Sequence, residues 1–335
     1  MRKKILSILQ YLLFLGLGIF LVWWSLHKIG DKGWIEFKQA LKEARYWLVV
    51  PVALILIISH YFRTLRWKLL MEPMGYKPRT VNTFFAVLTG YLANLAVPRL
   101  GEVLKCTILG RYEKVPANKL IGTIVLERAV DFLTLIVVFF ISLLLEYHTV
   151  GEYAFDMVKE VYQNKEGSFS FLRLGLLISV IILVVVTGRF IFRKFAHISF
   201  VEKVSNLLKG VWAGLSSVQH MKKRWLFTFY SILIWGCYLL GTYIGFFALA
   251  DTSVVPFNAA FPVLAFASIG MILTPGGIGA YAFFLAAILE LYNIPEPIGF
   301  ANGTLQWFAQ FIIALLNGFV ALLILPLYNK KYSHA

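Results

Sequence analysis

The sequence predicts an all-α polytopic membrane protein, with six full spans and two re-entrant broken-helix hairpins in an inverted repeat. Three observations carry that reading. Of the 335 residues, 59% are hydrophobic and the mean hydropathy is +0.76, against about 45–50% apolar residues in soluble domains. Several apolar runs exceed the roughly 18–20 residues that cross hydrocarbon as a helix. Two such runs are broken midway by proline and glycine, at Pro98 to Gly101 and at Thr274 to Gly279.

The elements follow in order. Met1-Arg2-Lys3-Lys4 precedes an apolar stretch over 5–26. That stretch is too long for a signal peptide and lacks a small-residue cleavage site, so it reads as the first span. In 33–45, Trp34, Phe37 and Leu41 share one face opposite Glu36, Lys38 and Lys42, which suits a helix lying in the interface. The second span is expected at 46–67, the first broken stretch at 80–110, and full spans at 119–146 and 171–192. An apolar stripe from Ile198 to Val218 marks a second amphipathic helix over 197–219, also a candidate partner-binding segment. A span at 225–250, the second broken stretch at 259–292 and a last span at 299–325 complete the series.

Charge sets the topology. If both broken stretches return to their own side, the inner segments hold 21 Lys and Arg, the outer segments hold 8, and 3 remain at membrane depth. Basic residues concentrate on the cytoplasmic side, so both termini are expected inside, in the plasma (inner) membrane of a prokaryote. The first hairpin then enters from the cytoplasm and the second from outside. The single integral domain 1–335 divides into oppositely oriented halves, about 1–146 and 171–325. In such repeats the broken helices mark a binding site near the midplane.

The chemistry-bearing residues lie where the chain should be deepest. Arg99, Glu102 and Lys105 occupy the first break, and Glu127, Arg128 and Asp131 the span after it. A charge at the centre of a membrane helix costs roughly 2.5–3.5 kcal/mol on insertion scales, so such residues are expected to pair and to face a cavity. Their signs cancel, three against three. Arg99 can fork to a phosphate, and the half-helix starting near Glu102 aims its positive dipole end at the midplane. Glu102 can restrain Arg99 at i, i+3 spacing or exchange a proton. Glu127 and Asp131 share a helix face about 12–18 Å from Lys119, the depth of the hairpin tip. The same cluster also fits a salt-bridge staple between hairpin and span.

Arg63, Arg66 and Trp67 sit at the expected cytoplasmic end of the second span. They read as interface anchors, with guidance of an anionic head group as the second reading. At the second break, Pro275, Gly276, Gly277 and Gly279 offer no reactive side chain, only backbone amides near Gly279 and close helix approach. Tyr281, Asn302, Gln306, Trp307, Gln310 and Asn317 add polar or aromatic lining, read as helix–helix hydrogen bonds.

The formal net charge of +15 would suggest nucleic acid in a soluble chain. Here it follows from the cytoplasmic-loop bias and favours anionic lipid head groups. Cys106 and Cys237 read as small apolar fillers. The six histidines have no metal-ligand spacing, and no Walker, dinucleotide, nucleophile-elbow or zinc-protease motif is present. No catalytic residue, metal or cofactor is therefore expected, and an enzymatic role is not favoured.

Arg63-x-x-Arg66-Trp67, Asn94-x-x-x-Pro98-Arg99-x-Gly101-Glu102, Glu127-Arg128-x-x-Asp131 and Pro275-Gly276-Gly277-Ile278-Gly279 occur in this order. Together they resemble the lysylphosphatidylglycerol synthase transmembrane-region family, also called the flippase-like domain family, over nearly the whole chain. The resemblance implies kinship with the lipid-translocating half of multiple-peptide-resistance proteins, which moves aminoacylated phosphatidylglycerol between leaflets. The chain ends at Ala335 soon after the last span, so no aminoacyltransferase domain, and no synthase activity, is expected. The family commonly carries a glutamate three residues after the last glycine of the Gly-rich motif; that position is Ala282 here.

The expected function is a lipid flippase or scramblase for a phosphate-bearing lipid, plain, aminoacylated or glycosylated. Its partners would be membrane lipids, chiefly anionic phospholipid head groups, with oligomerisation left open. An intramembrane lipid-modifying transferase and a secondary transporter of a small polar anion stand as alternatives.

Overall fold

The computed structural model describes residues 2–97, 99–146 and 221–330. The expected span at 171–192, the amphipathic segment 197–219 and Pro98 lie outside the described residues. Within them the chain is helical, with no strand: α1 (Arg2–Glu43), α2 (Val49–Met71), α3 (Thr80–Ala96), α4 (Leu100–Glu113), α5 (Ala117–Leu145), α6 (Arg224–Phe246), α7 (Ala260–Leu273), α8 (Ala280–Glu290) and α9 (Glu296–Lys330). Five helical segments, Leu12–Glu43, Tyr46–Met74, Lys119–Leu145, Arg224–Phe246 and Glu296–Lys330, are long and apolar enough to cross a membrane. Large apolar side chains such as Leu144, Ile272 and Leu323 point away from the protein. Apolar surface of this kind suits surrounding hydrocarbon, where every backbone group must be satisfied within a helix. The chain is a multi-pass membrane protein.

Helix ends depart from the hydropathy reading where breakers, not apolarity, decide them. α1 runs on past residue 26 to Glu43 and bends at Gly30, whose φ of 61° only glycine adopts freely. The amphipathic segment after the bend buries Phe37 and Ala40 against Phe300 and Ala301 of α9. α2 continues to Met71 and stops at a short turn over Glu72–Met74, closed by Gly75 at φ 83°. The expected boundary at residue 67 lies one turn short of this end.

Each broken stretch is a pair of packed helices. α3 and α4 meet around Gly90 and Gly101: a Cβ on Gly90 would lie 3.0 Å from the Gly101 carbonyl oxygen, and one on Gly101 would overlap the Gly90 carbonyl. Two residues without side chains let the backbones touch. α7 and α8 pack around Val263, Leu285 and Leu289.

Polar ties mark the two ends of the assembly. At one end Arg79, just before α3, bonds Glu113 at the end of α4 at 3.0 Å and Asn329 near the end of α9 at 3.2 Å. Asn82 joins Glu113 and Asn329, and Lys223 bonds Glu72 at 2.9 Å. At the other end Lys28 meets Glu296 at 2.8 Å, and Glu146 meets Asn258 just before α7.

Candidate functional site

The helix ending at Met71 places Arg63 and Arg66 well inside α2. Arg63 lies eight residues, roughly 12 Å, from the helix end. On α5, Glu127 lies ten residues from Ala117, a comparable depth. The arginines are therefore not interface anchors: Arg63 is 5% exposed, and Arg66, Trp67 and Glu127 are fully buried.

These residues form one network. Arg63 Nη1 donates to Glu127 Oε1 at 2.6 Å and to Asp131 Oδ2 at 2.8 Å. Arg66 Nη2 donates to Asp131 Oδ1 at 2.7 Å and reaches Glu127 Oε1 at 3.5 Å. The i, i+4 spacing of Glu127 and Asp131 puts both carboxylates on the face turned to α2. From α4, Lys105 Nζ donates to Glu127 Oε2 at 2.8 Å and sits 4.5 Å from the Trp67 ring centroid. Trp67 Nε1 in turn donates to Thr123 Oγ1 at 2.8 Å.

α6 supplies partners that the sequence expectations did not include. Tyr238 Oη lies 3.2 Å from Arg63 Nη2, and Ser231 Oγ accepts from Arg66 Nη1 at 3.1 Å. The two are seven residues apart, hence on one helix face; that spacing is the only signal the sequence offers for them. His60, stacked on Tyr91 at 4.2 Å between centroids, also borders the cluster.

The first break departs from the expected pairing. Arg99 adopts a left-handed conformation with φ 68° and precedes α4. Because it is outside the helix, helical i, i+3 spacing to Glu102 does not hold. Glu102 instead pairs with Arg128 Nε at 2.9 Å, both partners partly open. The Arg99 side chain is exposed and has no ion-pair or hydrogen-bond partner among the described residues. Asn94 Oδ1 accepts the Gly101 amide at 2.8 Å, satisfying a backbone donor freed by the break.

Charge is therefore not balanced. Among the described residues Arg63, Arg66, Lys105 and Arg128 pair with Glu102, Glu127 and Asp131, and Arg99, at the break outside that network, makes five cations against three carboxylates. Nε of both Arg63 and Arg66 is buried without a hydrogen-bond partner among the described residues. A cavity of about 10 Å³, room for about one water, opens among Arg63, Tyr91, Asn94, Glu102, Lys105 and Arg128. The opposite face of the same hairpin borders a larger, apolar cavity of about 480 Å³, lined by Leu92, Ala96, Leu104, Phe311, Leu315 and Phe319 among others.

The Gly-rich break is uncharged. Pro275–Gly277 forms a tight turn with Gly276 at φ 63° and Gly277 at φ 76°, and Gly279, at φ 72°, precedes α8. Trp307 Nε1 donates to the Gly276 carbonyl at 2.7 Å, and Gly279 packs on the Gly18 backbone of α1. The turn approaches α3. Among the described residues no hydrogen bond joins it to the charged cluster. Tyr281 Oη donates to Gln306 Oε1 at 3.2 Å and accepts from Gln310 Nε2 at 3.0 Å. Asn302 bonds Gly245 at 3.0 Å, Thr252 at 2.9 Å and Gln306 at 2.8 Å, so these side chains do serve as helix–helix ties. Ala282 is buried against Gly303 in an apolar cluster with Phe37 and Ala286. A carboxylate there would have no polar neighbour in that cluster.

Comparisons with known proteins agree with the motif reading. The family model described as lysylphosphatidylglycerol synthase TM region matches residues 8–326. The UPF0104 membrane protein MJ1595 of Methanocaldococcus jannaschii is 22% identical over 294 residues, 83% of this chain and 84% of its own length. No solved structure matches.

Proposed function

The chain belongs to the lysylphosphatidylglycerol synthase TM region family, and from that premise we propose that it is a lipid flippase or scramblase moving a phosphate-bearing lipid between leaflets. The observation that carries this reading is the excess of positive charge around the first break, five cations against three carboxylates among the described residues, beside a small polar cavity. A buried ion network is often no more stable than an apolar replacement, so a staple alone gives little reason to keep one at this depth.

In the proposed cycle the phosphate meets Arg99 at the hairpin tip, helped by the N-terminal dipole of α4. The acyl chains stay in the bilayer. The two broken pairs act as re-entrant hairpins of an inverted repeat, α3–α4 opening to the cytoplasm and α7–α8 to the outside. Contacts at opposite ends of the assembly support this: Arg79–Glu113 closes the open end of the first pair, and Glu146–Asn258 lies beside the start of the second. Basic Lys77, Arg111, Lys114, Lys119, Lys223 and Lys330 gather at the former end, which favours cytoplasmic termini in a prokaryotic plasma membrane. Burial of Arg63 and Arg66 removes two residues from the inner count without reversing it.

The test is reconstitution into vesicles with a fluorescent anionic phospholipid and a membrane-impermeant quencher. Wild type should speed leaflet exchange, and Arg99→Ala should slow it about tenfold, equivalent to about 1.4 kcal/mol of barrier. Equal rates in protein-free, wild-type and Arg99→Ala vesicles for every phosphate-bearing lipid tried would sink the reading.

A further inference from the structure

Resting on that reading, we infer that the head group taken up at the first break is net anionic, a phosphate without a free ammonium, and that cationic aminoacylated head groups are disfavoured. The balance of donors and acceptors at the cluster sets this sign. An ammonium is matched best by a carboxylate with an unused oxygen, and the two buried carboxylates of the cluster have both oxygens engaged. Both oxygens of Glu127 accept charged donors, Oε1 from Arg63 and Oε2 from Lys105. Both oxygens of Asp131 do so as well, Oδ2 from Arg63 and Oδ1 from Arg66. Glu102, partly open, holds Arg128 through Oε1. A lysyl or alanyl ammonium would have to displace a buried cation from Glu127 or Asp131, or share Glu102 with Arg128 at a site already rich in positive charge.

Donors, by contrast, are in surplus. The Arg99 guanidinium has no partner among the described residues. Nε of Arg63, on a side chain that lines the small cavity, is buried with no hydrogen-bond partner among the described residues. Lys105 and Arg128 line the same cavity, with Asn94 and Tyr91 as neutral donors. The excess of two positive charges is matched best by a phosphomonoester, which carries about −1.5 to −2 near neutral pH, and next by a phosphodiester.

The second break does not correct the bias. Its turn carries no ionisable side chain, Ala282 lies in an apolar cluster, and Tyr281 donates to Gln306 Oε1 while accepting from Gln310 Nε2. Among the described residues that tip offers no carboxylate to an ammonium handed across the midplane.

Purified full-length protein in neutral detergent tests the assignment by thermal stabilisation and native mass spectrometry. The probes are phosphatidic acid, phosphatidylglycerol, phosphatidylcholine, lysyl-phosphatidylglycerol and inorganic phosphate. Phosphatidic acid and phosphatidylglycerol should bind about tenfold or more tighter than the zwitterionic and lysylated lipids, in that order. Arg99→Gln, an exposed change, should fold normally and shrink the preference severalfold. Lysyl-phosphatidylglycerol binding as tightly as phosphatidylglycerol would overturn the inference, and so would an Arg99→Gln protein with unchanged preference. Inorganic phosphate giving the same shift as the lipids at equal concentration would overturn assignment to a lipid. Leaflet exchange separates this from the broader reading: selective binding without exchange defeats the flippase and keeps the head-group assignment, whereas exchange without selectivity does the reverse.

Discussion

Lys105 Nζ donates to Glu127 Oε2 at 2.8 Å, so the second helix of the first broken pair is tied by charge to the span that follows it. The opposite oxygen of Glu127 holds Arg63 of α2 at 2.6 Å. One buried carboxylate thereby fixes three helices, and any movement of the hairpin must break, exchange or carry this bond.

Glu127→Gln should be the most damaging conservative change in the cluster. It keeps the volume but leaves Arg63, Arg66 and Lys105 sharing only Asp131 in a buried setting. Breaking one side of a buried pair costs roughly 3–5 kcal/mol. Unfolding in detergent should show a loss of that order, and Lys105→Met should partly restore stability in the Glu127→Gln background. Purely additive losses in that cycle would contradict direct coupling.

Arg99→Gly separates backbone from charge. A non-glycine residue in the left-handed region costs roughly 1–2 kcal/mol, and Arg99 holds φ 68°. Glycine should be neutral or stabilising by about 1 kcal/mol while removing the free guanidinium. A protein that melts no lower yet exchanges lipid more slowly is the expected result.

Gly101→Ala should force α3 and α4 apart. Its Cβ would overlap the Gly90 carbonyl and lie 2.8 Å from Asn94 Oδ1, the acceptor that satisfies the Gly101 amide. Overpacking of this kind costs roughly 1–3 kcal/mol. Gly90→Ala, whose nearest contact would be 3.0 Å, should cost less. The order of the two melting points checks the geometry.

Ala282→Glu restores the residue that the family pattern favours and should be poorly tolerated here. The side chain would enter the contact with Gly303, which is so close that a Cβ on that glycine would lie 2.6 Å from the Ala282 Cα. A buried ionised carboxylate without a partner costs several kcal/mol. Expression and thermal stability should both fall, and Ala282→Gly should be much milder.

The Tyr281, Asn302, Gln306 and Gln310 ties were legible because single polar residues in a long apolar run must find partners on neighbouring helices. The breaks were legible too, since proline removes a donor and glycine admits positive φ. The Arg99–Glu102 pairing was not: it assumed that Arg99 already belonged to the helix, and one left-handed residue sends Glu102 to Arg128 instead. The apparent neutrality of the cluster failed for a related reason. Hydropathy puts Arg63 and Arg66 at a boundary, yet the helix continues to the breaker at Pro73 and Gly75 and carries both arginines inward.

By itself the sequence determined the membrane class, the two broken pairs, the family motifs and the shared helix face of Glu127 and Asp131, because hydropathy, breakers and helical periodicity are local properties. Only the tertiary structure decided which charges meet. Arg63 and Glu127 are 64 residues apart, and Arg66 and Ser231 are 165 apart. Partner choice at those separations depends on helix rotation and packing, which no local pattern encodes, and it is this choice that leaves Arg99 without a partner and the site positive among the described residues.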